Sequence, residues 1–243
     1  MSAMDEESDQ IEEALCDARR AHAGNYRYVH GYIEGYPVVA ATCVGGMSNA
    51  AVATTLALVK FAPICVVVQG VAGAHDVWLR CGDVVLGERL VNYGAYEAQR
   101  RPEGAGSDPL TWLRAERNSE VTSFDPNHAL KSDARLLDIA EQVPYLHGAV
   151  FRGTIGSSDG WTREVDLIKR LNDTMGTACE EMESYPAATA CEAMGVPMLA
   201  LRAISNNALH EDDAYDENAA SYVQEFTLAF VRQLVASFRF GIS

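Results

Sequence analysis

Arg202 lies in a short apolar run, LRAIS at 201–205, which ends in two asparagines and a long acidic loop. An apolar run that breaks into polar residues predicts the C-terminal end of a β-strand, and open α/β sheets bind ligands at this end. A buried arginine requires a carboxylate partner, and Glu183 in the segment EEMES is a candidate. Taken alone, such a pair favours a structural salt bridge.

Glycines follow two further apolar or strand-like segments. Gly45 and Gly46 precede an alanine-rich helix, where backbone N–H groups could approach an anion or a sugar, although a tight turn is the commoner role. QGVAG, at 69–73, follows the apolar run PICVVV, and its small residues permit close approach of a ligand. Each signal is weak, but together with the acidic segment AMDEES they predict one site at several strand ends.

The elements that position this site alternate between strands and helices. An acidic amphipathic helix is predicted over 5–22, with Ile11, Leu15 and Cys16 on its inner side. Residues 97–127 are predicted to form a long irregular loop. Further strands are expected at 26–34, 36–43, 63–70, 82–93, 147–158 and 197–205, and helices at 48–60, 162–175 and 218–238. This order predicts an α/β fold, a single domain over 1–243 with a twisted, mostly parallel or mixed central sheet flanked by helices.

Composition and charge restrict the function classes. With 243 residues, 48% of them hydrophobic, the chain is predicted to be globular. The net charge of −15 argues against nucleic acid as a partner, and no apolar run approaches the roughly 20 residues of a membrane span. The start lacks a signal-peptide pattern. Six cysteines without CxxC spacing and six histidines without HExxH spacing predict free thiols, a cytoplasmic location, no metal and no cofactor.

Three motifs occur in an order that is specific in combination: GDVV after the glycine-rich strand end, EMES opening a helix, and RAIS before a polar residue. On these motifs the chain resembles the purine nucleoside phosphorylase/nucleosidase superfamily, and most of all its 5′-methylthioadenosine/S-adenosylhomocysteine nucleosidases. The resemblance covers nearly the whole chain. It implies one α/β domain around a partly closed sheet, a homodimer, and cleavage of the N-glycosidic bond of a purine nucleoside through an oxocarbenium-like sugar.

The resemblance also implies roles at the sugar. Glu7 of AMDEE corresponds to the glutamate that helps to activate water. Glu183 corresponds to the residue that binds the ribose hydroxyls, and Met182 packs against the sugar. Arg202 supports this carboxylate and the water. Val71 and Gly73 belong to the strand end that lies beside the substrate.

At the base, the resemblance implies contacts from Ser205 and Asn206 and stacking of Trp161, in GSSDGW, on the purine. The backbone of Thr162 is expected beside the base edge. Trp161 offers the flat face that such stacking requires, although a tryptophan packed in the core is the alternative interpretation.

The acceptor decides between hydrolysis and phosphorolysis. Related hexameric phosphorylases carry an arginine where this chain has Val68, and a phosphate loop where it has AMDEES. A phosphate dianion beside these carboxylates would meet like charge. Water is therefore the predicted acceptor, and a phosphate-dependent phosphorylase remains an alternative.

The chain departs from the nucleosidase pattern at three places. Asn206 replaces the aspartate that donates to the purine N7, which opens the alternative of a 6-oxopurine nucleoside hydrolase, futalosine- or inosine-like. Val71 replaces a serine near the sugar. Only two residues precede AM, so the first family strand is expected to be truncated or absent, or the natural start to lie upstream.

A non-catalytic nucleoside-binding or storage protein on the same fold is the remaining alternative. The presence of Glu7, Glu183 and Arg202 argues against it. Asn207 has no assigned role in either interpretation.

Overall fold

The computed structural model describes residues 1–114, 129–212 and 214–239. The strands are β1 Cys16–Ala23, β2 Tyr26–Ile33, β3 Tyr36–Thr42, β4 Val66–Ala74, β5 Val84–Asn92, β6 Tyr96–Glu97, β7 Leu113–Arg114, β8 Leu130–Lys131, β9 Val150–Ser157, β10 Thr177–Glu181 and β11 Met198–Asn206. The helices are α1 Asp9–Glu13, α2 Met47–Phe61, α3 Ala134–Ala140, α4 Val165–Met175, α5 Ser184–Met194 and α6 Ala219–Arg239, with 3-10 turns at Asp5–Glu7 and Pro109–Thr111.

Six of these strands form the central sheet, in the order β11-β4-β10-β9-β5-β8, and β11 also pairs with β5. The extra pairing closes five strands into a ring. The sheet is mixed: β4 pairs parallel with β11 and antiparallel with β10, and β9 pairs parallel with both β10 and β5. All nine residues of β11 are buried, as expected of an apolar strand covered on both faces. The predicted α/β fold with a partly closed, mixed sheet is thus confirmed.

A second sheet, the antiparallel meander β1-β2-β3, is connected to the ring by the first residues of the chain. The Ser2 N–H donates to Ala41 O at 3.0 Å, and the Gln69 N–H donates to Met1 O at 2.9 Å. Because residues 1 and 2 bridge β3 and β4, the following segment AMDEES lies beside the middle of β4, where Glu7 contacts Gln69 and Val71.

Two apolar cores cover the ring. One packs α2 and α5 against the strands through residues such as Leu58, Tyr185 and Ile204. The other packs α6 against the opposite side through Phe226 and Phe230. These cores fix the strand ends, and with them the polar groups described below. No described helix is long and apolar enough to cross a membrane.

The predicted helix over 5–22 is wrong beyond α1. Ile11 and Leu15 do face a small apolar cluster, but Cys16 is exposed and begins β1. The first five residues of β1 are exposed, so the hydrophobic pattern of the sequence does not reveal the strand. Its conformation is determined by pairing with β2.

The other differences involve short elements. The strand β10 and the helix α3 were not predicted, since each has fewer residues than a clear period requires. The loop expected over 97–127 contains part of a two-stranded hairpin, β6 with β7, in which the Tyr96 and Trp112 rings stack at 3.9 Å. Residues 115–127 of that prediction lie outside the described residues.

Candidate active site

Arg202 forms the centre of the site. It is 1% exposed and projects from β11. Its Nη2 donates to Glu181 at the end of β10, to Glu183 Oε2 at 3.3 Å and to Ser184 Oγ at 3.3 Å. A buried guanidinium is costly unless it is neutralised, so the two carboxylates, which raise the pKa of Arg202 against its burial, are part of the same unit.

Glu181 is one of two site residues that the sequence did not predict. Its Oε2 accepts from the backbone N–H groups of Glu183 at 2.9 Å and Ser184 at 2.8 Å, and its Oε1 accepts from the Ser157 hydroxyl. It is therefore the main anchor of Arg202, a role predicted for Glu183. The two adjacent glutamates at the start of EEMES were the available signal in the sequence. They can be recognised as site residues only when this segment is known to end strand β10.

Glu183 keeps one oxygen free of the arginine. Its Oε1 accepts from the Gly46 N–H at 3.0 Å, at the N-terminus of α2, where the helix dipole favours an anion. Burial raises the pKa of Glu183 to about 6, and the neighbouring Arg202 acts in the opposite direction. The Gly45-Gly46 pair was predicted to present N–H groups to an anion. At Gly46 that anion is the carboxylate of Glu183.

Glu7 lies in the 3-10 turn and is 1% exposed. Its Oε2 accepts from Ala3 N at 2.9 Å and Met4 N at 3.2 Å, and its Oε1 accepts from Val71 N at 2.9 Å. The three donors fix the carboxylate within electrostatic range of both Arg202 and Glu183. The structure thus brings these three predicted catalytic residues together.

Gly70 makes this convergence possible. A Cβ at this position would lie 2.7 Å from Glu7 Oε1 and still closer to Arg202 Nη1. Both charged groups therefore pack directly on the glycine backbone of β4, as expected of a glycine where polar groups must approach closely.

A second polar group lies farther along the same strands. Asn206 on β11 and Glu180 on β10 both pair with Gly73 of β4. A Cβ at Gly73 would lie 3.6 Å from both amide atoms of Asn206 and 3.7 Å from Glu180 Cγ. Glu180, 3% exposed, is the second residue that sequence reasoning missed.

The segment after β9 borders this second group. The Thr162 N–H donates to Glu180 Oε1 at 2.8 Å, and Trp161 beside it is 60% exposed. The alternative interpretation of Trp161 as a core tryptophan is therefore wrong. Ser205 Oγ lies 3.2 Å from Asn206 Oδ1.

Met182, Val71 and Asn207 differ in how their side chains are placed. Met182 is half-buried between Glu181 and Glu183. Val71 contributes its backbone N–H to Glu7, while its side chain packs against the α6 core. Asn207 is structural, because its Nδ2 donates to Asp76 O and Leu79 O, both at 2.9 Å.

Comparison with known proteins agrees with this architecture. The family model of the phosphorylase superfamily matches residues 1–236, and the chain belongs to this superfamily. The 5′-methylthioadenosine/S-adenosylhomocysteine nucleosidase of Exiguobacterium sp. is 27% identical over 246 residues, 96% of this chain and 97% of the relative.

Two solved structures share the fold. The Neisseria meningitidis 5′-methylthioadenosine/S-adenosylhomocysteine nucleosidase, in complex with methylthio-immucillin-A, superposes with a TM-score of 0.78 at 22% identity, covering 95% of this chain and 96% of that one. A futalosine hydrolase mutant of Helicobacter pylori superposes with a TM-score of 0.79 at 24% identity, covering 96% of each chain.

Replacing Gly70 with alanine tests the packing of the charged groups. The new methyl group must displace the Arg202 guanidinium or the Glu7 carboxylate, and breaking a buried ionic network costs about 3 kcal/mol or more. We expect a loss of that order in the free energy of unfolding, measured by urea denaturation. Wild-type stability in Gly70→Ala would contradict the contact.

Proposed function

We propose that the protein is a purine nucleosidase, a hydrolase that cleaves the N-glycosidic bond of a purine nucleoside to free base and a ribose derivative. The observation that carries the proposal is the pair of carboxylates, Glu7 and Glu183, held within electrostatic range of the buried Arg202 of β11. The names of the curated relatives support it.

The carboxylates suit the charge that develops in this reaction. As the glycosidic bond breaks, the ribose becomes cationic, and fixed negative groups stabilise that state more than the ground state. Glu183 retains lone pairs that can accept the ribose hydroxyls in charge-assisted hydrogen bonds. Met182, adjacent to it, would pack against the sugar.

Glu7 is proposed to position and deprotonate the attacking water. Its backbone donors hold it in one orientation, so little reorganisation is needed during the reaction. Arg202 would orient Glu183 and this water.

The base would lie beside Gly73 and Asn206. Asn206 can donate hydrogen bonds to the departing purine, and Ser205 lies beside its amide oxygen. Trp161 is proposed to stack on the base, and the segment at Thr162 to border its edge. Val71 takes part through its backbone.

Water is the proposed acceptor, because the position beside Arg202 that phosphate would need is flanked by Glu7, Glu181 and Glu183. Like charge disfavours a dianion there. The names of the relatives suggest a 5′-thio-substituted ribose, as in 5′-methylthioadenosine and S-adenosylhomocysteine. No metal or cofactor is required for these steps.

We further propose a homodimer, as the resemblance implies. On α2, Val52 and Val59 are 47% and 70% exposed and lie two turns apart on one helix face. Apolar side chains on an exposed helix face are typical of an interface. Light scattering coupled to gel filtration would give a monomer mass if this proposal is wrong.

A cytoplasmic location is proposed on the state of the cysteines. Three of the six, Cys43, Cys179 and Cys191, are buried thiols outside any disulfide. Thiols of this kind are typical of a reducing compartment. Recovery of the native protein outside the cytoplasmic fraction would contradict the proposal.

Base release from a panel of purine nucleosides tests the reaction. In phosphate-free buffer, we expect release of free base and a reducing sugar, with no rate increase when phosphate is added. Release that requires phosphate would show a phosphorylase. Nucleoside binding without release would show a binding protein.

Glu183→Gln tests the proposed sugar contact. We expect kcat to fall about 10²-fold or more, because charge stabilisation in the transition state is lost. Ionised Glu183 is needed for activity, so the wild-type rate should fall as the pH drops through about 6, above the range of an ordinary glutamate.

The stability of the same variant separates function from folding. Because burial raises the pKa of Glu183 to about 6, the native state holds this proton more tightly than the unfolded chain does, so wild-type stability should fall as the pH rises from the ordinary glutamate range to about 6, and this fall should be absent in Glu183→Gln. Glu88→Gln, at a side chain that is 58% exposed on β5, is the control and should change neither kcat nor stability. Unchanged turnover in Glu183→Gln would remove the residue from the mechanism.

A further inference from the structure

The short turn that carries Glu7 has two backbone carbonyl groups at its end. The 3-10 turn ends at Glu7, and α1 begins two residues later. Backbone N–H groups of the turn and of α1 donate to Asp5 O and Ser8 O. The carbonyl groups of Glu6 and Glu7 lie between these two. Because 3-10 hydrogen bonds have poor geometry, so short a turn does little to fix its own position.

Two glutamine side chains, from different elements, donate to these two carbonyl groups. Gln69 Nε2, from β4, donates to Glu7 O at 2.5 Å. Gln224 Nε2, from α6, donates to Glu6 O at 2.8 Å. Both glutamines are buried, with 1% and 2% of their surface exposed, so their hydrogen bonds are strengthened by the low local dielectric. The turn is thus held by the central ring and by the last helix.

Gln224 also connects the turn to α1. Its Oε1 accepts from the Gln10 N–H at 2.9 Å, in the first turn of α1, where a backbone N–H has no carbonyl partner within the helix. Gln10 Nε2 in turn donates to Ser221 Oγ of α6 at 2.7 Å. The amide of Gln224 therefore ties both the turn and α1 to one position on α6.

The orientation of the Gln69 amide is determined by Glu7. Its nitrogen faces Glu7 O, because the reverse orientation would bring two acceptor oxygens together. Among the described residues, none forms a hydrogen bond with the buried Gln69 Oε1. An unpaired buried acceptor costs stability, so folding energetics alone do not explain a glutamine at this position.

Three successive residues of β4 act on Glu7. Gln69 donates to its carbonyl group, Gly70 packs against its carboxylate, and the Val71 N–H donates to Oε1. The same strand pairs with β11, which carries Arg202. A shift of the Glu7 backbone would therefore move the carboxylate relative to Arg202 and to the attacking water proposed above.

We propose that Gln69 and Gln224 are positioning residues, which act on the reaction through Glu7 and do not touch the substrate. The inference rests on the proposed nucleosidase function, in which Glu7 positions and deprotonates the water. A displacement of about 1 Å can cost on the order of 10²-fold in rate. The two amides should therefore affect the chemical step more than substrate binding.

Gln69→Met and Gln224→Met test the two contacts, because methionine is unbranched and has no donor. We expect each variant to lower kcat by about tenfold or more, as for a displaced reacting group. KM should stay within about twofold of wild type, since the interactions lost act in the transition state. The two residues lie on different elements, so loss of folding in one variant leaves the other to decide.

Thr227→Val is the matched control for these variants. Thr227 lies on α6 one turn from Gln224, is 4% exposed, and has a hydroxyl without a hydrogen-bond partner among the described residues. The control should keep the wild-type kcat and KM. Wild-type kcat in folded Gln69→Met and Gln224→Met, or a kcat lowered equally in Thr227→Val, would overturn the proposal.

A double-mutant cycle with Glu7→Gln separates positioning from a general structural role. If Gln69 acts through Glu7, Gln69→Met should lower kcat by less than about twofold in the Glu7→Gln background. Equal losses in both backgrounds would overturn this inference and leave the nucleosidase function in place. A wild-type kcat in Glu7→Gln alone would instead remove Glu7 from the proposed mechanism, and this inference with it.

Discussion

A buried guanidinium that must be neutralised is the constraint on which the site depends. Arg202 is almost fully removed from water, so the structure surrounds it with Glu181, Glu183 and Glu7. Glu181 forms the anchoring bond, and its own position is fixed by the backbone at the start of α5. In the proposed mechanism the remaining lone pairs of Glu183 and Glu7 serve the substrate, and the packing of Glu7 and Arg202 requires glycine at position 70.

The closed sheet divides the site into two chemically different halves. Where the ring brings β4, β10 and β11 together, the charged group packs at Gly70, and the second polar group packs at Gly73, three residues farther along β4. The first half is strongly anionic and suits a sugar that becomes cationic. The second offers one acceptor, Glu180, and one amide, Asn206, which suits the edge of a base. Both halves are held by buried strands, so their geometry is set before a substrate enters.

The sequence predicts the strongly patterned parts of this structure. The apolar run of β11 and the long helices α2 and α6 are found close to their predicted bounds. The failures have one physical cause, that tertiary pairing decides short or exposed segments. The exposed strand β1 depends on pairing with β2. The strand β10 carries two buried charged residues, Glu180 and Glu181, so its sequence lacks the apolar pattern of a buried strand. Because β10 was not predicted, both glutamates were missed, although Glu180 and Glu181 directly precede Met182 in the sequence.

The central claim is that water attacks the sugar within this set of carboxylates. Turnover in oxygen-18-labelled water, with early trapping of the sugar product and mass spectrometry, tests it most directly. The account predicts one labelled oxygen at the anomeric carbon of the ribose product, with or without phosphate in the buffer. A product that carries phosphate at that carbon and no label from water would contradict it.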